Sequence, residues 1–287
     1  ALAGVLEAGL RAWARVAPSE RGSYRLVRAV RRRLPEPRWH DWFDVPGVGR
    51  MRLDLSVYPD CCMAFGLYEL TTTRLIRRWL RPGDTVIDGG ANIGYFTLLA
   101  AQCVGESGHV HAVEPEPGNR ARLQEHLDEN RLAERLTVHA VALSDHAGEA
   151  TIHRPHDQGG VNHGCASLFL DPAQAQTSTT VPTARLDELD FAELPRLIKL
   201  DLEGAEPLAI AGAETLLIAD RPPMIVGEVN PAQAQAADSA TDDWLRRALV
   251  IQPRYRAYRV GTRLRPVRTT DGAPHLPRQE NILLAAD

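Results

Sequence analysis

The sequence predicts an α/β fold in which a mostly parallel sheet carries helices on both faces. Three apolar segments, at 85–87, 109–113 and 136–141, alternate with segments of helical periodicity. Such alternation is typical of parallel βαβ units. A glycine-rich segment at 88–94 follows the first strand, so it lies at the carboxyl edge of the sheet, where open α/β folds bind ligands.

Length and composition limit the class of protein. The chain has 287 residues, 44% of them hydrophobic, which is enough for one large domain and an appendage. It has no apolar run of about 18 residues, so the sequence predicts no transmembrane segment. Four cysteines form neither a disulfide framework nor a metal-ligand pattern. We therefore expect a cytoplasmic protein with reduced cysteines.

The first 65 residues are predicted to form an N-terminal extension. Helical spacing in 1–34, interrupted at Pro18, predicts two helices, and a turn at 45–47 followed by alternation at 51–55 predicts a β-hairpin. Residues 1–40 hold nine arginines against three glutamates, although the net charge of the chain is −4. Such a segment could meet nucleic acid, anionic lipid or an acidic protein, or it could be the solvated face of amphipathic helices.

The glycine-rich segment allows two interpretations. As a dinucleotide fingerprint it places Ala91 where a glycine lets the backbone approach a pyrophosphate, which argues against NAD. Alternatively, Asp88, Gly90, Asn92 and Gly94 form a bend beside a carboxylate, with Asn92 where left-handed backbone is tolerated. A carboxylate beside the loop suits a cationic ligand without phosphate, such as S-adenosylmethionine.

Acidic residues follow the next two strands. Glu114 comes 26 residues after Asp88, a spacing at which a carboxylate can accept both ribose hydroxyls of an adenosyl ligand. Ser144 and Asp145 follow the third strand, where Asp145 could reach the adenine amino group or simply cap a turn. These positions support a nucleoside ligand without choosing among nucleosides.

Two further segments flank the predicted site. Segment 61–80 has helical spacing and leads into the glycine-rich segment, so Tyr68 and Glu69 could lie over the ligand; core packing and a surface charge are the alternatives. Segment 149–183 is a polar insertion that includes His163. Its histidines lack a recognised metal-ligand spacing, so we expect a substrate-side loop or hairpin.

The fourth strand, at 197–202, carries charges that a covered strand should not have. Lys199, Asp201 and Glu203 alternate onto one face if the strand conformation persists to Glu203. Lys199 is the only lysine among 33 basic residues. Because strands covered on both faces are normally apolar, these charges predict either structural ion pairs or a functional site.

The rest of the chain continues the pattern. Glu228 lies near the end of the fifth predicted strand. The remaining predicted elements are two helices and three strands, at 207–219, 238–249, 224–229, 255–260 and 281–285. The last two strands suit an antiparallel hairpin that closes the sheet.

Five motifs resemble, in their order and spacing, those of the FkbM family of S-adenosylmethionine-dependent methyltransferases. They lie at 88–97 (DGGANIGYFT), 114–115, 142–145, 198–206 (IKLDLEGAE) and 281–283. Positions 68–69 and 162–168 also look like family positions, whereas Gly89 departs from the commoner valine. The match spans about 66–285, so we assign 66–287 to the methyltransferase domain.

The resemblance implies a class I methyltransferase fold, Rossmann-like, with a seven-stranded sheet whose last strand is antiparallel. It also implies O-methylation of sugars, glycolipids or polyketide-type natural products. By resemblance, Asp88, Gly90 and Gly94 shape the methionine pocket, Glu114 the ribose site and Asp145 the adenine site. We further place Tyr68, Glu69, Asn92, Ser144 and Asp201 at the cofactor.

Methylation of an alcohol requires that its proton be removed by a base or with the help of a metal. The candidates are Asp201, Lys199, Glu203, Glu228 and His163. We rank Asp201 first as the base, with Lys199 orienting the nucleophile. Asp201 and Glu228 could alternatively hold Mg²⁺ through oxygen ligands, although we do not expect a metal.

Two other functions compete with this prediction. The chain could be a non-catalytic adenosyl-binding or interaction module whose arginine-rich segment docks on a carrier or membrane. It could also be an NAD-linked oxidoreductase, which Ala91 disfavours. For the enzyme we expect a small-molecule or glycan acceptor and no nucleic acid.

Overall fold

The structure is a computed structural model, and it describes residues 2–17, 22–32, 40–156, 166–270, 273–274, 276 and 278–286. The helices are α1 (Leu2–Val16), α2 (Ser23–Arg31), α3 (Asp60–Ala64), α4 (Leu70–Trp79), α5 (Tyr95–Val104), α6 (Pro117–Glu129), α7 (Glu206–Ala211), α8 (Glu214–Leu217), α9 (Pro231–Ala236) and α10 (Asp243–Ile251). The strands are β1 (His40–Val45), β2 (Gly49–Asp54), β3 (Thr85–Gly89), β4 (His109–Val113), β5 (Leu136–His139), β6 (Ala142–Leu143), β7 (Gly148–Pro155), β8 (Ala175–Ala184), β9 (Leu197–Leu200), β10 (Met224–Val229), β11 (Tyr255–Arg259), β12 (Arg265–Pro266), β13 (Thr269–Thr270), β14 (Ala273–Pro274) and β15 (Glu280–Ala286).

The main sheet has the strand order β12-β11-β15-β10-β9-β3-β4-β5. Strands β5, β4, β3, β9 and β10 are parallel to their neighbours, and β15 runs antiparallel to both β10 and β11. The predicted mostly parallel sheet with an antiparallel last strand is therefore confirmed. The two-residue β12 adds an eighth strand that the sequence did not predict.

The strand order reverses between β3 and β9. From β3 the chain proceeds outward through β4 and β5, and it then returns to build β9 and β10 on the other side of β3. Such a reversal leaves a crevice at the carboxyl ends of the two strands, which is where open α/β sheets bind ligands. Asp88 and Asp201 lie at this crevice.

Each face of the sheet has its own hydrophobic core. Successive residues of β3 illustrate the division, because Val86 packs with α5 and α6 whereas Ile87 packs with α7 and α10. Period-two alternation sends neighbouring side chains of a strand to opposite faces. Helices on both faces, as the sequence predicted, complete the α/β architecture.

The N-terminal extension packs onto the α5–α6 core. Its helices α1 and α2 and the antiparallel hairpin β1–β2 match the prediction, and the hairpin forms a separate two-stranded sheet. Leu10, Val27 and Met51 are buried in the same cluster as the residues of α5. The Arg11 guanidinium donates to the Asp44 carbonyl at 2.6 Å, and that of Arg31 donates to the Leu55 carbonyl at 3.0 Å.

Four predicted boundaries were wrong because left-handed or close-packed backbone interrupts the elements. Strand β9 ends at Leu200, since Glu203 (φ 53°) and Gly204 (φ 103°) turn the chain away from extended conformation. Segment 61–80 divides into α3 and α4 around Glu69, which has φ 36°. The predicted helix 207–219 divides at Gly212, where a Cβ would lie 2.1 Å from the Ser144 carbonyl oxygen. Helix α10 begins later than predicted, and α9 was not predicted.

The polar insertion forms most of a small sheet beside the main one. Strands β7 and β8 pair as an antiparallel hairpin, and β6 pairs with β8. This confirms the hairpin alternative for segment 149–183. His163 and the predicted family positions at 162–165 lie outside the described residues.

Candidate active site

A cavity lies at the reversal of strand order. We call it the first cavity. It is walled by the glycine-rich segment, the start of the loop after β4, the residues after β9 and the small sheet. Its lining residues are Gly90, Asn92, Val113, Glu114, Pro115, Val141, Ala142, Leu143, Ile152, Ala166, Leu168, Asp201, Leu202, Glu203 and Ala205.

The glycine-rich segment is held against the chain that follows β9. The Asp201 amide donates to the Gly89 carbonyl at 3.1 Å, and a Cβ at Gly90 would lie 1.9 Å from the Asp201 carbonyl oxygen. Gly90 also has φ 76°, so two independent constraints require glycine there. Asn92 adopts φ 51°, the left-handed conformation that the sequence suggested for it.

Glu114 connects the glycine-rich segment to the beginning of α6. Its carboxylate accepts hydrogen bonds from the amides of Asn92 (2.8 Å) and Glu116 (2.9 Å) and from the Asn119 side chain (3.4 Å). Burial raises the pKa of Glu114 to about 7, although these hydrogen bonds oppose the rise. The residue therefore organises the loop as well as lining the first cavity.

Asp88 and Lys199 form a buried charged pair under the loop. Asp88 Oδ2 accepts a hydrogen bond from Thr97 Oγ1 at 2.6 Å, and Oδ1 lies 3.7 Å from Lys199 Nζ. Among the described residues, Oδ1 has no hydrogen-bond partner. The Lys199 ammonium also lies 4.8 Å from the centre of the Phe96 ring, a favourable cation–π geometry.

A second, much smaller cavity adjoins these groups. Three carboxylates and the sole lysine converge on it. Its lining residues are Glu69, Thr72, Lys199, Leu200, Asp201, Val226, Glu228 and Asn281. Asp201 lines both cavities, and its Oδ2 lies 3.4 Å from Lys199 Nζ. The two cavities therefore share one lining residue, Asp201.

The surroundings of the second cavity shift the pKa values of its lining residues. Burial, assisted by the charge of Asp201, raises the pKa of Glu228 to about 8 and that of Glu69 to about 7. Burial alone would lower the pKa of Lys199, but Asp201, Asp88 and Glu69 together raise it above its ordinary value. Lys199 is thus a permanent cation, and the two glutamates titrate near neutral pH.

Glu69 is held in a strained position at the start of α4. The Asn281 side-chain amide donates to Glu69 Oε2 at 3.0 Å and to Thr72 Oγ1 at 2.9 Å. Glu69 has φ 36°, which for a residue with a Cβ costs about 1–3 kcal/mol. Tyr68 packs edge to face on Tyr95, with ring centres 5.1 Å apart. The predicted pair at 68–69 therefore reaches the site through Glu69.

Of the other predicted site residues, Glu203 lines a cavity, whereas Ser144 and Asp145 do not. Glu203 lines the first cavity, and its carboxylate accepts from the Gln233 side-chain amide. Ser144 and Asp145 lie beyond the end of β6, do not line either cavity, and hydrogen-bond to each other at 3.2 Å. Asp145 also accepts from His146 at 2.6 Å. Their adenine role stays a prediction.

Several supporting residues were assigned no role from the sequence, although two of them lie in the motifs. Thr97 is a buried polar residue of the largely apolar α5, and Asn281 is a polar residue of the largely apolar strand β15. His126 is fully buried, where its Nδ1 contacts the Ile93 carbonyl at 2.7 Å and its Nε2 accepts from the Arg52 amide at 2.9 Å. A polar side chain in a largely apolar element is the signal that could have identified the roles of the first two.

The described ranges contain neither a metal-ligand cluster nor a membrane-spanning helix. These ranges contain no cluster of three or more histidine, cysteine or acidic side chains suited to a metal ion. The Mg²⁺ alternative at Asp201 and Glu228 stays a proposal. Within the same ranges, no helix has the length and apolarity needed to cross a bilayer.

The strand order, the reversal point and the glycine-rich segment with its acidic neighbours define the class I methyltransferase fold. The family model described as the methyltransferase FkbM domain matches residues 88–260, more than half of the chain. The chain belongs to the FkbM methyltransferase family.

Individual relatives match over shorter stretches. A 31-O-demethyl-FK506 methyltransferase FkbM from Streptomyces tacrolimicus is 46% identical over 69 residues, covering 24% of this chain and 25% of that protein. A ribosomal protein L11 methyltransferase from Pelotomaculum thermopropionicum is 37% identical over 98 residues, covering 33% of this chain and 29% of that protein. The chain thus spans less than a third of the length of these relatives.

Among solved structures, a methyltransferase FkbM from Methylobacillus flagellatus aligns with a TM-score of 0.46 and 17% identity, covering 80% of this chain and 56% of that one. A putative rRNA methylase from Clostridium thermocellum aligns with a TM-score of 0.43 and 12% identity, covering 75% and 93%.

Proposed function

We propose that this chain transfers the methyl group of S-adenosylmethionine to a hydroxyl oxygen of a sugar, glycolipid or polyketide-type acceptor. The observation that carries the proposal is the position of Asp201 between the two cavities. A nucleoside in the first cavity and a hydroxyl in the second would meet beside this carboxylate.

The residues of the first cavity fit S-adenosylmethionine. Asp88 Oδ1, a buried oxygen without a hydrogen-bond partner among the described residues, would suit an ammonium group behind the wall that Gly90 and Asn92 form. Glu114 and Asn92 would hold the ribose, while Val141 and Leu143 offer apolar surface to the adenine. When bound, the sulfonium of the cofactor supplies an activated methyl group.

Residues of the second cavity would remove the proton from the acceptor hydroxyl. Asp201 would accept a hydrogen bond from the acceptor hydroxyl, and Lys199 would keep that carboxylate in place through their ion pair. Glu228 and Glu69, whose pKa values lie near 8 and 7, are suited to take up the released proton at neutral pH. Positioning and proton removal together are what an activated methyl donor requires.

An acceptor with several neutral hydroxyl groups suits the charge of the second cavity. Glu69, Asp201 and Glu228 offer hydrogen-bond acceptors, and a single cation, Lys199, faces them. An anionic acceptor would meet repulsion at this surface, whereas hydroxyls would find partners. The relative named 31-O-demethyl-FK506 methyltransferase supports a hydroxyl group as the acceptor. The relatives named ribosomal protein L11 methyltransferase make a protein the competing class of acceptor.

The proposal is tested by incubating the purified chain with trideuteromethyl-labelled S-adenosylmethionine and a panel of glycosides, glycolipids and macrolide alcohols. Mass spectrometry should find one label on a hydroxyl of at least one compound. Asp201→Asn should lower kcat by about 10²–10⁴-fold while the Kd of S-adenosylmethionine changes less than about threefold. Glu193→Gln, which alters an exposed carboxylate outside both cavities, is the matched control.

Three results would overturn the proposal. Full activity of Asp201→Asn would remove this residue from the reaction. Tight cofactor binding without transfer to any hydroxyl or amine would favour the non-catalytic binding module. Label on a ribosomal protein or RNA instead of a small alcohol would identify a macromolecular acceptor.

A further inference from the structure

Helix α1 exposes apolar side chains on the side next to its buried face. Leu10 and Ala14 are buried, whereas Val5, Trp13 and Val16 are 69%, 45% and 73% exposed. At about 100° per residue, the three exposed side chains fall within an arc of about 80°. Large apolar side chains gathered in one arc form a contiguous patch, which marks an interaction surface more often than single exposed residues do.

Helix α2 adds positive charge and two more apolar side chains. Its buried face consists of Ser23, Val27 and Val30. Its exposed face carries Tyr24 (39% exposed) and Leu26 (42% exposed) together with arginines. The exposed arginines on α1, on α2 and at its end are Arg15, Arg25, Arg28 and Arg32.

The exposed charge on these two helices has one sign. In the described part of α1 and α2 the only acidic residue is Glu7, and it is half-buried. The exposed faces of the described parts of α1 and α2 therefore combine arginines, aliphatic side chains and a tryptophan, and the nearest exposed carboxylate of the hairpin is that of Asp44, beside Arg11. This composition matches helices that lie in the interface of a bilayer, with basic residues at the headgroups and apolar residues at the acyl boundary.

We propose that the exposed faces of α1 and α2 bind the surface of an anionic lipid bilayer. The arginines would pair with headgroup phosphates, and Val5, Trp13 and Val16 would insert below them, with the indole at its preferred interfacial depth. This function is independent of the methyl-transfer site. It would keep the enzyme at a membrane through contacts with the bilayer surface.

The apolar residues distinguish lipid from nucleic acid as the partner. Arginines bind the phosphates of either one. Val5 and Val16, however, favour lipid, because aliphatic side chains neither stack on bases as aromatic rings do nor contact phosphate. A lipid surface uses both the charge and the apolar patch.

The test is co-sedimentation of the full chain with two kinds of vesicle. One kind is phosphatidylcholine with a minor fraction of phosphatidylglycerol, and the other is phosphatidylcholine alone. The chain should sediment with the anionic vesicles, and added salt should weaken its binding because exposed charges are screened. Val5→Ser with Val16→Ser, and separately Arg25→Glu with Arg28→Glu, should each lower the partition coefficient by about tenfold or more.

Matched controls separate the surface from general charge and hydrophobicity. Val250→Ser alters a valine that is 78% exposed on α10, and Arg263→Glu with Arg265→Glu changes the net charge as much as the α2 pair does. Both controls should bind vesicles as the unmodified chain does. Circular dichroism and titration with S-adenosylmethionine should give the same result for every variant, because all of these side chains lie outside the core and the cavities.

The proposal is overturned if the unmodified chain stays in the supernatant at low salt. It is equally overturned if the control pair reduces binding as much as the α2 pair, which would make net charge the sole cause. Preferential binding of an RNA duplex, unaffected by the valine substitutions, would identify nucleic acid as the partner.

Discussion

Gly90→Ala tests how closely the glycine-rich segment and the chain after β9 are packed. The new Cβ would lie 1.9 Å from the Asp201 carbonyl oxygen and 2.9 Å from its carbonyl carbon. Both are backbone atoms, so no side-chain rotation relieves the contact. The alanine would also adopt φ 76°, which costs about 1–2 kcal/mol by itself.

Two other glycines provide a graded comparison. Gly83 has φ 91° and its Cβ would meet nothing closer than 3.7 Å, so Gly83→Ala should cost only the dihedral strain, about 1 kcal/mol. Gly94 has φ 94° and its Cβ would lie 2.5 Å from Leu123 Cδ1, the end of a side chain that can move. We expect about 2 kcal/mol for Gly94→Ala and about 4 kcal/mol or more for Gly90→Ala, because the last must displace backbone.

Thermal unfolding measures this series directly. At about 2–4 °C per kcal/mol for a chain of this size, Tm should fall by about 3 °C for Gly83→Ala and by about 10 °C or more for Gly90→Ala. Gly90→Ala should also lose binding of S-adenosylmethionine, because the displaced segment walls the first cavity. Equal Tm losses for the two variants would refute the close approach of β3 and β9 at their carboxyl ends.

Two further predictions concern titration. If Glu228 takes up the acceptor proton, kcat should rise with pH through about 7–8, because burial raises the pKa of Glu228 to about 8 and a base must be ionised to act. Glu228→Gln should move this rise in kcat towards pH 7. An unchanged pH profile of kcat would exclude Glu228 as the base. Burial, then His109 and His139, lower the pKa of His111 to about 4, so its neutral form contributes stability that is present above the unfolded value of about 6.5 and is lost as pH falls towards 4. Urea unfolding should show a loss of about 1–2 kcal/mol from pH 7 to pH 5, and His111→Gln should flatten that loss; an equal loss in the variant would assign it to other groups.

Strong periodicity made the central sheet predictable. The apolar segments that became β3, β4 and β10 are short, β-branched and bounded by turns, so local pattern and tertiary burial agree there. The acidic residues at the strand ends were also predictable, because the carboxyl ends of parallel strands share one edge. Asp88, Glu114 and Asp201 meet there for that reason.

The positions of some site residues could not be predicted, because they depend on the backbone conformation of single residues and on contacts between distant parts of the chain. Alternation placed Glu203 beside Lys199, but the left-handed turn at Glu203 and Gly204 sends it to the first cavity instead. Asn281 reaches Glu69 across more than two hundred positions of sequence, and His126 joins β2 to the loop after β3. Contacts of this kind are set by tertiary packing, for which a single sequence has no periodic signal.

The most direct test of the account is calorimetric titration of S-adenosylmethionine into the unmodified chain, Glu114→Gln and the exposed control Glu106→Gln. We predict stoichiometric binding by the unmodified chain and by the control. Glu114→Gln should bind at least about tenfold more weakly, because a neutral amide replaces the carboxylate that accepts from the Asn92 amide and, in our proposal, would accept the ribose hydroxyls. No binding by the unmodified chain, or binding of NADH in its place, would contradict the assignment of the first cavity.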